Sequence, residues 1–149
     1  MLIDTNTIEQ KILETLKEDP VLAGYVKRFM IGTVSNTRIL FPFIDLVNVG
    51  CKEKELMAAS GQLTVSFEIH AGIKNLAPEV AYKGTAAGKK GILDLCNDIR
   101  NVVVNNRFKG AFFGPARNIR INPRFLHDKA ETVFVGLVSF SGDVRFMHR

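Results

Sequence analysis

Residues 84–91 read GTAAGKKG and stand directly ahead of a stretch with helical periodicity. Glycines and a lysine before a helix have the composition of a phosphate-binding loop, because the free amides of a helix start attract anions. The spacing breaks the match with nucleotide hydrolases. Their loop sets four residues between its glycines and places Ser or Thr after the lysine to hold magnesium; here three residues intervene and Lys90 follows Lys89. A helix start without nucleotide hydrolysis is therefore expected. Asp45, Glu68 and His70 are the groups an acid–base enzyme would use, provided a pocket gathers them and perturbs their carboxylates. Asp45 lies within an apolar run, so it requires either a wet face or a cationic partner. His70, His127 and His148 are far apart, and none pairs with Cys, Asp or Glu at a metal-ligand spacing. Ser60, Ser66, Ser139 and Ser141 lack a nucleophile-elbow context. Cys51 and Cys96 form no CxxC, and a structural disulfide is not expected in a cytoplasmically made chain. No catalytic residue, cofactor or metal is expected.

Charge is uneven along the chain. The first 74 residues carry 8 Lys and Arg against 9 Asp and Glu, and the remaining 75 carry 12 against 6, so the net charges are −1 and +6. A basic half suits nucleic acid, an acidic protein surface, or a solvated face. Stacking on single strands needs exposed aromatics among basic residues, and Arg117, Arg120, Arg124 and Phe125 come closest to that pattern. In the loop KGAFFGP at residues 109–115, Phe112 and Phe113 cannot both point into one core from so short a loop, which leaves two readings open: at least one exposed and available to a partner, or the loop folded back over the core.

The elements that would position these groups centre on residues 61–73, GQLTVSFEIHAGI, which alternate without a fault. Leu63, Val65, Phe67, Ile69, Ala71 and Ile73 fall on one side, and Thr64, Ser66, Glu68, His70 and Gly72 on the other, as in a half-buried strand. Helices at residues 7–17 and 90–106 would cover the apolar side. The first has Thr7 and Gln10 as a capping box and a stripe of Ile8, Ile12, Leu13 and Leu16. The second carries Ile92, Leu95, Cys96, Ile99, Val102 and Val103 on one face, with Asp94 and Asp98 toward its positive end and Arg107 toward the other. Asp19 and Pro20 start a short additional helix running to about Phe29.

Residues 38–49 form an apolar strand with Pro42 at its entrance, since proline cannot donate to a ladder. Residues 51–60 are expected to link two strands as a long loop, and residues 74–88 to form an irregular crossover. A short strand at residues 117–122 has a basic side, and residues 132–140 are apolar on both faces, as an inner or intersubunit strand would be, closed by Ser141, Gly142 and Asp143. At 149 residues with 46% apolar and 23% charged side chains, one soluble domain spanning residues 1–149 is expected. No apolar run reaches the roughly 18 residues of a membrane span. The expected fold is α+β: a mainly antiparallel sheet of four or more strands, two main helices on one face, in the order α-(α)-β-β-α-β-β.

The opening helix, FPF leading into FIDLVNVG, QLTVSFEIHAGI, the helix GILDLCNDIRNVVVNN and the closing strand ETVFVGLVSFSG together resemble tailed-bacteriophage tail terminator proteins of the lambda U type. The likeness covers nearly the full chain and lies in element order and local patterns, without an invariant signature. It implies a virion structural protein without enzymatic activity, made in the host cytoplasm, that forms a ring, as a hexamer, on the tail tube. The ring would end tube polymerisation, meet the tail tube protein on one side and the head–tail connector on the other, and let DNA pass through without binding it directly. Contacts are expected from the strand containing Phe134 and Val138, from Phe112 and Phe113, from Lys52 and Lys54 in their loop, and from Arg117, Arg120 and Arg124. The competing expectations are another head-completion, neck or minor tail protein, and a small basic nucleic-acid-binding module.

Overall fold

The computed structural model of the protein describes residues 5–32, 40–57, 60–75, 77–123 and 133–147. Its elements are α1 (Thr5–Glu18), α2 (Pro20–Ala23), β1 (Arg28–Ile31), β2 (Phe43–Met57), β3 (Ser60–Lys74), α3 (Pro78–Lys83), α4 (Ile92–Val103), β4 (Arg117–Asn122) and β5 (Val133–Met147). The class is α+β. The sheet has five strands in the order β1-β2-β3-β5-β4.

Three of the four strand pairings are antiparallel, so the sheet is mainly antiparallel as expected; the β1–β2 pairing is parallel, which makes the sheet mixed and adds a strand that the expected order lacks. The short helix starts as its signals require: Asp19 Oδ2 accepts the Leu22 amide at 3.0 Å and Pro20 opens the first turn. It stops at Ala23, not near Phe29. Beyond Gly24 the chain turns to aromatic and β-branched residues, which favour an extended backbone, and Arg28–Ile31 pairs in parallel with Phe43–Leu46 of β2. Backbone bonds from Lys27 N to Pro42 O and from Gly32 N to Leu46 O, each 2.8 Å, fix both ends of this contact.

The link expected over residues 51–60 is mostly strand. β2 runs 15 residues to Met57, with Cys51 opposite Val65, Lys52 opposite Thr64 and Lys54 opposite Gln62. Its Lys–Glu alternation carries little intrinsic strand preference, and pairing along the neighbouring β3 overrides that weak local signal. Likewise β5 continues as strand through Ser141, Gly142 and Asp143, where a closing turn was expected. The crossover between β3 and α4 contains helix α3, with Pro78 at its start.

β3 realises its alternation: Val65, Phe67, Ile69, Ala71 and Ile73 are buried while Thr64, Ser66, Glu68 and His70 are half-exposed. The same inner face takes Phe134, Val138, Phe140 and Val144 from β5 and Ile44 and Leu46 from β2. Against it pack Ile8, Ile12 and Leu16 of α1 and Ile92, Leu95, Cys96, Ile99 and Val103 of α4. Each large side chain buried there contributes roughly 1.5–3 kcal/mol. Gly91 caps α4, its amide donating to Asp94 Oδ2 at 2.9 Å. Phe67, Phe108, Phe112 and Phe140 form one aromatic cluster with ring centroids 5.4 to 6.4 Å apart.

Candidate functional site

The helices and the core lie on one face of the sheet, and the opposite face carries the alternate residues, polar ones such as Thr64, Ser66, Glu68 and His70 together with the apolar Val47, Val135 and Leu137. Strand register brings Asp45 of β2, His70 of β3 and Leu137 of β5 into one row, and Glu68 and Ser139 into the next. Ser66 and Ser141 face each other with their hydroxyl oxygens 3.1 Å apart. Thr64 donates to Asp143 Oδ1 at 2.9 Å, and the same oxygen accepts Arg117 Nη2 at 2.5 Å. His70 Nε2 lies 3.2 Å from Glu68 Oε1 on the same strand. These groups satisfy one another in pairs along the strands and do not converge on one point where a substrate atom would sit.

Arg117 reaches this face through an irregularity that alternation does not predict. Arg117 pairs with Ser141 and Arg120 with Ser139, so three steps along β4 match two along β5. Asn118 takes up the extra residue with φ of 55°, in the left-handed region that Asn tolerates better than most side chains. The bulge thereby turns Arg117 toward Thr64 and Asp143. Arg120 remains exposed and forms no ion pair among the described residues. It borders a shallow concavity of about 430 Å³ with Ser66, Glu68, Asn118, Ser139 and Ser141.

The expected contact residues divide between surface and interior. Phe113 is 42% exposed, whereas Phe112 is buried among Phe67, Phe108 and Phe140, so the pair splits as the short loop requires. Phe134 and Val138 are buried as well, which corrects their assignment to an intersubunit surface. The physical reason is that β5 is an inner strand whose even-numbered side faces the chain's own core, with Gly136 against Cys96 and Ile92 of α4 and the Phe134 ring 6.0 Å from that of Tyr82 in α3. Lys52 and Lys54 belong to β2 and not to a loop. Arg124 lies outside the described residues.

A second polar cluster was not legible in the sequence. Tyr25, just after α2, donates its hydroxyl to Asp98 Oδ2 of α4 at 2.6 Å, and Lys90 Nζ approaches the same oxygen at 3.2 Å. Burial, together with the bond to Asp98 and its charge, pushes the Tyr25 hydroxyl well above the ordinary phenol range. Burial alone pushes the Cys96 thiol up to about 11. At the far end of α1, Lys109 bonds Glu18 at 2.8 Å and Glu14 at 3.4 Å, and Glu18 foremost raises its pKa.

Among the described residues, no group of three or more His, Cys, Asp or Glu side chains is arranged to hold a metal ion. None of the described helices is long and apolar enough to cross a membrane. No protein-family model matches the chain, and no curated protein matches it in sequence.

Proposed function

We propose that this chain is a phage or prophage virion subunit that closes into a ring on the tail tube, ends tail polymerisation and offers the surface for head joining. The observation that carries the reading is the sheet's outer face. Thr64, Ser66, Ser141, Asp143 and Arg117 are paired with one another there, and the exposed Arg120 on β4 borders the concavity beside them. Among the described residues β4 is an edge strand, whose free backbone groups offer pairing to another chain, and Arg120 on it restricts that pairing to a partner of complementary charge. The order of helices and strands quoted for the tail terminator resemblance supports the same reading. Mechanism then rests on complementarity: a heterologous contact closes at a fixed number of subunits, one ring face fits the tube, and the other cannot template a further copy. Its partners are further copies of itself, the tail tube protein and the head–tail connector, and its place is the virion tail.

The test is the mass of the purified protein by light scattering across a concentration series, with negative-stain images of any large species. Closed rings, six subunits being the expected number, support the proposal. A strict monomer at every concentration overturns self-assembly of this chain and shifts the weight to a monomeric binding module. The double variant Arg120→Glu/Arg124→Glu is expected to weaken assembly without lowering the melting temperature, and unchanged assembly would remove these two residues from the contact.

A further inference from the structure

The loop GTAAGKKG, set aside above as a nucleotide-hydrolysis motif, borders a concavity of about 380 Å³ lined by Tyr25, Lys27, Ile73, Lys74, Gly88, Lys89 and Lys90 among others. Four lysines from three separate segments meet there: the turn before β1, the end of β3, and the approach to α4. The loop is built by its own hydrogen bonds. Thr85 N donates to Lys89 O at 2.9 Å, Lys89 N to Thr85 Oγ1 at 3.2 Å, and Gly88 N to Thr85 O at 3.2 Å. Gly88 has φ of 104°, a conformation that favours glycine, and the space where a side chain would stand is open.

Charge in the concavity is not balanced. Asp98 engages Lys90, whose ammonium also lies 5.4 Å from the centre of the Tyr25 ring. Lys27 and Lys89 are exposed and form no ion pair among the described residues. Like charges held around one depression repel, and a compact anion relieves that repulsion. Two ammonium groups without a carboxylate partner among the described residues match a ligand that carries two negative charges. Lysine, a point charge with three donors, suits phosphate oxygens in this role.

We propose that this concavity is a phosphate-binding site, with Lys27 and Lys89 as the principal cations and Lys74 and Lys90 at its border. The Gly91 amide at the start of α4 is no part of it, being taken by Asp94. The inference goes beyond the ring-cap reading and does not depend on it. Two sources share the chemistry: a free polyphosphate and the phosphate backbone of a nucleic acid.

The test is calorimetric titration of the full chain with inorganic pyrophosphate at low ionic strength, where surface charge is least screened. Lys27→Gln/Lys89→Gln is compared with Lys11→Gln/Lys17→Gln, which removes the same charge from α1. Binding by the wild type and by the α1 variant, weakened about tenfold or more in Lys27→Gln/Lys89→Gln at an unchanged melting temperature, supports the site. A short single-stranded oligonucleotide then separates the sources: tighter binding than pyrophosphate, equally lost in the variant, assigns a nucleic-acid backbone, and weaker binding assigns a free polyphosphate. No pyrophosphate binding, or equal binding by all three proteins, overturns the proposal.

Discussion

The ring of Phe112 lies against the backbone of Gly142, so close that a Cβ on that glycine would stand 2.2 Å from the ring. This contact joins the loop before β4 to β5 and explains why a glycine sits inside a strand, where its lack of a side chain normally weakens pairing. Gly142→Ala is expected to displace the ring and lower stability by about 1–3 kcal/mol. Phe112→Ala leaves a cavity instead and should cost about 3–5 kcal/mol. Urea denaturation of both variants checks the pair, and a neutral Gly142→Ala would disprove the packing argument.

Alkaline pH should weaken the fold partly through Cys96. Its folded thiol titrates near 11, against an ordinary value of 9.0 for the exposed group. Below about 9 the thiol is protonated in both states and its stabilising contribution is complete; as pH rises toward 11 only the unfolded chain loses the proton, and stability falls. Over those two pH units the loss is about 2–3 kcal/mol. Denaturation midpoints measured from pH 8 upward in wild type and Cys96→Ala check this, with a flatter profile expected in the variant.

Tyr25→Phe removes a hydrogen bond to a carboxylate that is already largely withdrawn from water. The expected cost is about 1–2 kcal/mol. Asp98 keeps Lys90 as its partner, so the chain should still fold. A melting curve identical to wild type would show that the hydroxyl contributes nothing.

Arg117 and Arg120 should separate in their effects. Arg117→Ala strips Asp143 of its cation and is expected to lower stability by up to about 1 kcal/mol, the pair being partly exposed. Arg120→Ala touches no ion pair among the described residues and should leave stability within about 0.5 kcal/mol of wild type. Equal losses in the two variants would contradict the division of roles.

Asp19→Ala tests the shortest helix. Loss of its bond to the Leu22 amide should cost about 1 kcal/mol, and Asp19→Asn should recover most of it. Thermal melts of the two variants provide the comparison.

Local pattern by itself determined the strand around Phe67, the amphipathic stripe of α4, the proline at the opening of β2, and the start of α2 at Asp19 and Pro20. Each depends on residues within a few positions of one another, where side-chain direction follows directly from the repeat of the backbone. Tertiary structure alone decided the remainder. Arg28–Ile31 became a parallel strand because β2 offered it partners, and residues 51–57 became strand because β3 runs alongside them. A one-residue bulge turned Arg117 toward Asp143, 26 positions away. Phe134 and Val138 are apolar enough for a partner subunit, but the fold buries them on the core side of the sheet, with Phe134 against Tyr82 of α3. The lysine-lined concavity also joins separate segments, Lys27, Lys74 and Lys89. Pairing and burial across such separations depend on which surfaces the folded chain brings together, and no local pattern records that.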